Sequence, residues 1–292
     1  MIIIRLKGGM GNQMFQYAFA KGIAAKLNTE FKTDCSLLLD RSRGKQHIYR
    51  NYDLSLFKVQ ENFTLALSFL SLIYKLKSSF IRKTITGLVA KGKRMEKEKQ
   101  FHTDTTLLAS PSDNAVYDGW WQSAQYFEDV KEELKEDFCF KSPLLRESLR
   151  IHQKITETNS ICLNVRRTDF LTNPTLNATN LKYFLNAAKK MAEMVNDPHF
   201  FVFSDDMKWC EENLIFDFPT EFVQHNLKGE KFGNYLQLMI ACKHFIIPNS
   251  SFAWWAVWLN ENEDKKVIAP KSWFNEGEYD TSALVPETWI RL

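Results

Sequence analysis

The stretch that decides the fold lies at the amino-terminal end and reads IIIRLKGGMGNQMFQYAFAKGIAAKL over residues 2–27. The β-branched run at 2–6 predicts a buried strand, and the segment 13–27, rich in Ala, Phe and Lys, has the spacing of a helix. Glycines stand between the two segments. A strand, a tight glycine loop and a helix in this order are the opening unit of an α/β layer fold.

The second half of the chain continues this alternation. Strands are predicted at 161–165, 199–203, 244–247 and 266–269, with helices at 181–195, 232–242 and 252–260. Strands that alternate with helices of this length predict a parallel sheet. We therefore expect an α/β chain of two domains that face a cleft, residues 1–150 and residues 151–292.

Length and composition agree with this architecture. The 292 residues match two domains at roughly 150 residues each. Hydrophobic residues make up 45% and charged residues 25%, which excludes disordered and collagen-like chains. The net charge of +3 does not predict a nucleic-acid partner. The five cysteines form no C-x-x-C pair, so neither a disulfide framework nor a zinc site is expected.

The sequence also bears on location. The first residues have neither the basic leader nor the apolar region of a signal peptide. No apolar stretch reaches the length of about 18 residues that a transmembrane helix needs. We therefore expect a cytoplasmic protein.

Residues 62–99 differ from the rest of the first domain. Apolar residues at helical spacing are followed by nine Lys and Arg residues between 75 and 99, opposed only by Glu96 and Glu98. This pattern predicts a helical basic insertion. Its surface is either an ordinary solvated helix face or a peripheral contact with the inner face of an anionic membrane, where each basic residue contributes roughly 1 kcal/mol.

The first candidate site is the glycine loop of residues 8–13. Its backbone amides and the start of the following helix suit a phosphate group at Gly9 and Gly11. The side-chain amides of Asn12 and Gln13 suit sugar hydroxyls or phosphate. Met14 stands where a dinucleotide fingerprint has its third glycine, and no P-loop follows. The alternative is a tight strand-to-helix turn without a ligand.

The second candidate is Arg166-Arg167-Thr168-Asp169, directly after the strand 161–165. Two guanidinium groups and a carboxylate are costly at a sheet edge unless they meet an anion or each other. Successive strand residues face opposite ways, so one arginine should enter the cleft while the other supports the scaffold. A guanidinium fork matches a diphosphate. The alternative is a structural Arg–Asp ion pair.

Polar residues also follow two further predicted strands. They are Ser204, Asp205 and Asp206 after one strand, and Asn249, Ser250, Ser251 and Phe252 after the other. Paired aspartates can hold a divalent metal, or accept hydrogen bonds from a guanine and a ribose. The serine pair either contacts a phosphate or is a plain helix N-cap.

Five separated blocks carry a resemblance to a known family. They are GGMGNQMFQYA at 8–18, YDGWWQS at 117–123 with Tyr126-Phe127, NVRRTD at 164–169, FSDD at 203–206 and NSSFAWW at 249–255. In this order they resemble the α-1,2-fucosyltransferases of glycosyltransferase family 11, bacterial type. The resemblance implies a GT-B-like fold with two Rossmann-like domains, the first (1–150) on the acceptor side and the second (151–292) binding GDP-fucose. It also implies GDP-fucose as the donor, inversion at the fucose anomeric carbon, and neither a metal nor another cofactor.

The resemblance also implies roles for single residues. Arg166 would clamp the β-phosphate, Arg167 and Asp169 would shape the site, and Asp205 or Asp206 would read the guanine. Ser250, Ser251 and Phe252 would cradle the diphosphate, while Asn12 and Gln13 would lie near the fucose and its acceptor. Asn164 stands where the family has His and Thr168 where it has Gly. Asn164 can hydrogen-bond the nucleotide but cannot shuttle a proton.

The sequence thus predicts an enzyme that moves L-fucose from GDP-fucose to the 2-hydroxyl of a terminal galactoside, carried by an oligosaccharide or a lipid-linked glycan. The catalytic candidates are Arg166, Asn12 and, as the base, Asp169. The donor-binding candidates are Gly9, Gly11, Gln13, Asn164, Arg167, Ser204, Asp205, Asp206, Asn249, Ser250, Ser251 and Phe252. The alternatives are another acceptor, such as a protein or GlcNAc, and a non-catalytic sugar-nucleotide or glycan-binding protein.

Overall fold

Two compact units, each with its own sheet, make up the chain. The computed structural model describes residues 1–41, 49–73, 75, 78–99, 101–168, 170–171, 173–275 and 279–292. The first unit comprises Met1–Lys141 with Asp280–Leu284, and the second comprises Ser142–Tyr279 with Val285–Leu292. The α/β fold class predicted from the sequence is confirmed, because in each unit helices connect the strands of a parallel sheet.

The first unit has a four-stranded sheet of order β2-β1-β4-β3, in which every pairing is parallel. Its strands are β1 (Ile2–Arg5), β2 (Phe31–Asp34), β3 (Arg94–Lys97) and β4 (Ala115–Asp118). Its helices are α1 (Met10–Lys26), α2 (Leu67–Ile73), α3 (Ser79–Ala90), α4 (Thr105–Ala109) and α5 (Lys131–Asp137).

The second unit has a six-stranded sheet of order β10-β9-β8-β5-β6-β7, again parallel throughout. Its strands are β5 (Asn159–Val165), β6 (Pro198–Ser204), β7 (Thr220–Phe222), β8 (His244–Ile246), β9 (Val267–Ala269) and β10 (Ile290–Arg291). Its helices are α6 (Leu149–Glu157), α7 (Leu181–Ala192), α8 (Met207–Asn213), α9 (Gly233–Ile240) and α10 (Ser251–Leu259).

Helix α1 is the centre of the first core. It is buried along most of its length because its outer side is covered by the segment that follows β4. The ring of Phe19 stacks on Trp121 at 4.2 Å and meets Tyr126 edge-on at 4.9 Å. Aromatic pairs of this geometry contribute more than their buried area alone.

A buried arginine joins three elements of the first unit. Arg5, at the end of β1, places Nε 3.1 Å from Asp34 Oδ2 of β2, and its Nη2 donates to the carbonyl of Thr86 in α3 at 3.1 Å. Its Nη1 lies 3.7 Å from Asp118 Oδ2 of β4. A buried guanidinium is tolerated because these partners replace the water that it loses.

The core of the second unit lies between the sheet and α7. Strands β5 and β6 are buried on both faces, which is why they appear in the sequence as continuous apolar runs. Ile161 and Leu163 of β5 pack in one cluster with Phe200 and Val202 of β6 and Phe184 of α7.

Two features of the domain prediction differ from the structure. The division falls at Lys141–Ser142 rather than at 150, since α6 already begins at Leu149 and packs against β5. The predicted helical insertion at 62–99 is only partly helical. Helices α2 and α3 lie within it, but Arg94–Lys97 is edge strand β3, whose backbone pairs with β4 from Arg94↔Ala115 to Lys97↔Asp118.

Gly22 generates a stability prediction. A Cβ at this position of α1 would lie 2.0 Å from the carbonyl oxygen of Tyr126, a backbone atom that cannot turn aside. We expect Gly22→Ala to lower the free energy of unfolding by about 1–3 kcal/mol or more, as overpacking does. Urea unfolding followed by tryptophan fluorescence measures this.

Gly87 provides the matched control within α3. A Cβ there meets no atom within 4 Å, so Gly87→Ala should raise the free energy of unfolding by about 0.5–1 kcal/mol through helix propensity. Equal effects of the two substitutions would contradict the close approach of α1 to the segment after β4.

Candidate active site

The strand order of the second sheet marks where a ligand is expected. From β5 the chain moves outward through β6 and β7, and then returns to the opposite side of β5 with β8. The order therefore reverses between β5 and β8. Open α/β sheets bind their ligands outside the carboxyl ends of the strands at such a switch point. The residues that follow β5 and β8 are those that the sequence singled out.

Arg166 follows β5 at this edge. Its Nη1 lies 3.0 Å from Asp205 Oδ2, which follows β6, and its guanidinium carbon lies 5.7 Å from the centre of the Phe170 ring. The Arg166 side chain is 27% exposed, whereas the Asp205 side chain is only 9% exposed. The buried carboxylate thus holds a guanidinium that still reaches solvent.

Asp205 has further partners in the loop after β5. It accepts hydrogen bonds from the backbone N–H of Arg167 at 2.9 Å and of Thr168 at 3.2 Å, and from the Thr168 hydroxyl at 2.5 Å. The sequence predicted that Asp205 or Asp206 reads a guanine. That role stays a prediction; in the structure both Asp205 oxygens bind the loop that carries Arg166, where they balance a guanidinium and accept from two backbone N–H groups.

The side chain of Arg167 is held by Asp206 and Trp209. Its Nε lies 3.1 Å from Asp206 Oδ2, and its guanidinium carbon lies 3.7 Å from the Trp209 ring centre. Asp206 also caps α8 by accepting from Trp209 N–H at 3.4 Å, and its own N–H donates to Ser204 Oγ at 2.9 Å. Both arginines therefore form Arg–Asp ion pairs.

Helix α10 begins at the other side of the switch point. Ser250 is its N-cap, with Oγ accepting from Ala253 N–H at 3.5 Å, while Ser251 and Phe252 form a half-buried first turn. The Asn249 side-chain amide donates to the carbonyls of Leu176 and Trp273, both at 2.8 Å. Its buried Oδ1 has no hydrogen-bond partner within the described ranges. The start of α10 therefore presents backbone amides next to an unpaired buried acceptor.

Two further residues predicted for the site are Asn164 and Asp169. Asn164 is buried, and its Nδ2 donates to the carbonyl of Phe203 at 3.2 Å, which links β5 to β6. The predicted base Asp169 lies outside the described residues.

The first sheet has a switch point of its own, between β1 and β4. From β1 the chain passes to β2 on one side and returns through β3 and β4 on the other. The glycine loop follows β1 here. Gly8 has a φ of +80°, and a Cβ on it would lie 2.4 Å from Asn12 Nδ2 and 3.0 Å from the Trp120 ring, so only glycine fits.

The glycine loop is shorter than predicted. Helix α1 starts at Met10 with Gly9 as its N-cap, so Gly11, Asn12 and Gln13 already lie in the first turn. Asn12 Oδ1 accepts from Gln122 Nε2, which follows β4, at 2.6 Å. The loop and the end of β4 are thus joined by a side-chain pair at the switch point.

Gln13 is fully buried and binds backbone groups. Its Nε2 donates to the carbonyls of Gly8 at 3.0 Å and Asn51 at 2.9 Å, and its Oε1 accepts from Asp53 N–H at 2.9 Å. The predicted contact of Gln13 with a sugar or phosphate stays a prediction, while these backbone contacts already satisfy its buried amide.

Glu98 was not recognised from the sequence as part of this site. Its carboxylate accepts from the N–H groups of Trp120 at 2.7 Å and Trp121 at 2.9 Å. Burial raises the pKa of Glu98, and the two N–H groups and Lys7 oppose this rise. In the sequence Glu98 is one of two acids in a basic run, and nothing there points to the turn some twenty residues later.

The turn that Glu98 holds presents an indole to solvent. Trp121 adopts a left-handed backbone with φ of +55° and is fully buried, whereas Trp120 is 37% exposed. Lys7 Nζ lies 4.7 Å from the centre of the Trp120 ring and 3.0 Å from Asp118 Oδ1. An exposed indole beside an ammonium and two side-chain amides is a chemistry that suits a sugar ring.

Metal ligands do not cluster in the described ranges. No group of three or more His, Cys, Asp or Glu side chains there is placed to hold an ion.

Comparison with known proteins identifies the family. The chain matches glycosyl transferase family 11 over residues 1–292. An Escherichia coli protein named alpha-1,2-colitosyltransferase is 30% identical over 100% of this chain and 98% of its own length. The E. coli O-antigen biosynthesis glycosyltransferase WbnK is 28% identical over 98% of this chain and 99% of its own length.

Solved structures agree with the fold. The crystal structure of NodZ alpha-1,6-fucosyltransferase soaked with GDP-fucose aligns with a TM-score of 0.52 at 14% identity, over 88% of this chain and 92% of NodZ. The GT-B-like fold class predicted from the sequence is thereby confirmed. The chain belongs to glycosyl transferase family 11 and is a glycosyltransferase, as the resemblance implied.

The contacts of Asp205 generate a prediction that needs no substrate. Asn in its place offers one oxygen where the carboxylate has two, and it leaves Arg166 without its counter-charge. We expect Asp205→Asn to lower the free energy of unfolding by about 2–3 kcal/mol, less than for a fully buried pair because Arg166 is partly exposed. Urea unfolding measures the difference.

Asp217→Asn in the same unit is the control. Asp217 is exposed, so its replacement should change the free energy of unfolding by at most about 0.5 kcal/mol. Equal stability of the two variants would show that Asp205 does not hold the loop after β5.

Proposed function

We propose that this glycosyltransferase moves L-fucose from GDP-fucose to the 2-hydroxyl of a terminal galactoside, with inversion at the anomeric carbon and without a metal ion. One observation carries the proposal: the partly exposed guanidinium of Arg166 and the first turn of α10 flank the same switch point. Both are suited to the diphosphate of a sugar nucleotide. The name of the 30% identical relative, an alpha-1,2-colitosyltransferase, supports the linkage.

The chemical step follows from this placement. The bond between the fucose anomeric carbon and the β-phosphate oxygen breaks, while the galactoside 2-oxygen forms the new bond and releases its proton. Negative charge develops on the departing GDP. The guanidinium of Arg166 and the amides of α10 would stabilise that charge without rearranging, because Asp205 and the helix already fix their positions.

Asp205 acts in this proposal as a positioning residue. It binds the Arg166 side chain and the two following N–H groups, so the guanidinium is oriented before the donor arrives. Asp206 is engaged with Arg167 in the same way. The pairing of both aspartates with guanidinium groups supports the metal-free proposal, since the positive charge that a cation would supply already lies beside them.

Asp169 is proposed as the base that takes the proton from the acceptor. Asn164, where the family has His, donates its amide to the Phe203 carbonyl, and an amide cannot accept a proton at neutral pH. A carboxylate elsewhere must therefore serve. Asp169 follows Arg166 by three residues and is the next carboxylate after it in the sequence, which supports this choice.

The first unit is proposed to bind the acceptor. A pyranose ring has an apolar face of C–H groups and a rim of hydroxyls. The exposed Trp120 indole suits that face, and the amides of Asn12 and Gln122 suit the rim. Glu98 fixes the backbone of Trp120 and so fixes the platform.

Colitose is the second candidate for the transferred sugar, because it is named in the 30% identical relative. It is fucose without the 3-hydroxyl, so the two donors differ by a single polar group. GDP-fucose and GDP-colitose, each offered with type 1 and type 2 galactosides, lactose and GlcNAc, separate these candidates. The expected product is a fucosyl-α-1,2-galactoside identified by NMR, and transfer only from GDP-colitose or only to GlcNAc would overturn the proposal.

Arg166 is the direct test of the phosphate clamp. We expect Arg166→Ala to lower kcat with GDP-fucose by roughly a hundredfold to a thousandfold, the range for losing one donor to developing charge. We expect the kcat of Arg166→Lys to lie between those of Arg166→Ala and the parent, because lysine keeps the positive charge but loses the forked guanidinium. Arg150→Ala, which replaces an exposed arginine of the same unit, should have the kcat of the parent.

EDTA should leave the parent enzyme active. Loss of activity in EDTA would contradict the metal-free mechanism.

Trp120 tests the acceptor platform separately. We expect Trp120→Ala to raise KM for the acceptor about tenfold, equivalent to a contact of about 1.4 kcal/mol, with little change in KM for GDP-fucose. Trp120→Phe keeps an aromatic face and should recover most of the loss. A rise in both KM values, or no recovery with Phe, would show that the indole does not contact the acceptor.

A further inference from the structure

Helix α3 exposes large apolar side chains to solvent. Phe80 is 76% exposed and Leu88 is 62% exposed. The preceding helix α2 adds Phe69 and Leu72, which are also exposed and stand three residues apart on one side of it. This short part of the chain thus concentrates several of the large apolar residues that remain outside the cores.

These residues are not needed to pack α3 against its unit. The helix buries Ile85 and Val89, four residues apart, and Val89 lies in one cluster with Ile3 and Val116 of the sheet. A surface helix with one such buried stripe normally carries polar residues on its opposite side. In α3, Phe80 lies opposite this stripe and Leu88 lies on its flank, and both are exposed.

Lysines share this outer side. Helical spacing places Lys83 beside Phe80, Lys91 is the C-cap residue that follows Leu88 by three positions, and both lysines are exposed. We call these four residues the α3 outer face. Other basic residues of the segment have internal partners: Arg82 lies 3.4 Å from Asp40, and Lys93 donates to Asn114.

The nearby acids do not neutralise the α3 outer face. Glu96 pairs with Arg94 at 2.6 Å and accepts from the Ser112 hydroxyl, while Glu98 binds the N–H groups of Trp120 and Trp121. Between residues 75 and 99 these are the only acids. The face therefore combines apolar side chains with uncompensated positive charge.

We propose that the α3 outer face docks the protein onto an anionic phospholipid bilayer. A helix with apolar residues for the acyl boundary and lysines for the headgroups is the pattern of interfacial membrane binding. None of the helices in the described part of the chain is long and apolar enough to cross a bilayer. Docking is independent of which sugar the enzyme transfers.

A lipid surface suits this face better than a second copy of the chain does. A symmetric dimer through the same face would bring Lys83 and Lys91 of two copies together, and like charges at close range repel. An anionic bilayer accepts the lysines and the apolar residues at once. The basic residues on β3 have a separate explanation, because charged side chains protect an exposed sheet edge from unwanted pairing.

Vesicle flotation with the full chain tests the proposal. Vesicles of phosphatidylcholine alone are compared with vesicles that also contain phosphatidylglycerol, at low and at high salt. We expect binding to the anionic vesicles only, weakened by salt. Lys83→Gln with Lys91→Gln should weaken binding about 25-fold, as two residues worth roughly fivefold each. Phe80→Ser with Leu88→Ser should weaken it roughly tenfold or more.

Matched controls come from the second unit. Leu149→Ser with Ile215→Ser removes two exposed apolar residues, and Lys182→Gln with Lys189→Gln removes two exposed lysines. These variants should bind vesicles as the parent does. All variants should retain the parent's urea midpoint and its activity on a soluble galactoside, because no substituted residue belongs to a core or to the candidate site.

Three outcomes would overturn the proposal. Equal binding to neutral and anionic vesicles would show that Lys83 and Lys91 do not attract the protein to anionic headgroups. Equal losses of vesicle binding in the α3 outer face variants and in the control variants would show that binding is not located at the α3 outer face. A dimer in the parent, measured by sedimentation equilibrium and lost in Phe80→Ser with Leu88→Ser, together with no vesicle binding, would assign the face to a second copy.

Discussion

Parallel strand pairing is the constraint on which the other features depend. Every pairing in both sheets is parallel, so all strands of a sheet end at one edge and each return of the chain requires a crossover. Because each sheet is built on both sides of an early strand, the order reverses once, beside β1 in one unit and beside β5 in the other. The Gly8 loop and the Arg166 loop stand directly at these two reversals, which is why residues far apart in sequence meet there.

The ion pairs at the second reversal show how a charged loop is kept at a sheet edge. A guanidinium that waits for an anion must be stable without it, and the carboxylates of Asp205 and Asp206 provide that stability for Arg166 and Arg167. The two arginines then differ in what remains available. Arg167 is stacked on the Trp209 ring and is 19% exposed, whereas Arg166 is 27% exposed. The structural ion pair and the phosphate clamp, alternatives at the level of sequence, are therefore compatible in one residue pair.

The sequence predicted those parts of the structure that depend on local pattern. The apolar runs of β1, β5, β6 and β8 mark buried parallel strands, and the polar residues after them mark the edge where the candidate site lies. Strand β2, with the sequence FKTD, has no apolar run, and strand β3 lies in the basic segment that the sequence predicted to be helical. The partners of Asp205, Gln13 and Glu98 could not be predicted, because they depend on the register between elements that are distant along the chain. The sequence predicted a helical basic insertion over 62–99, but only the packing shows that α3 keeps Phe80 and Leu88 exposed while it buries Ile85 and Val89.

The turn after β4 has a strained backbone at Trp121, and the contacts that hold this backbone also position Trp120. A left-handed backbone costs a non-glycine residue roughly 1–2 kcal/mol, so Trp121 holds φ of +55° only because its surroundings offset that cost. Two sources are present: the indole is fully buried and stacks on Phe19, and the N–H groups of Trp120 and Trp121 both donate to Glu98. Gly119 is required at the same turn, since a Cβ there would lie 2.6 Å from Glu98 and from the Trp121 ring. These contacts fix the backbone from which the exposed Trp120 indole projects, so less conformational entropy is lost when the indole binds a rigid sugar ring.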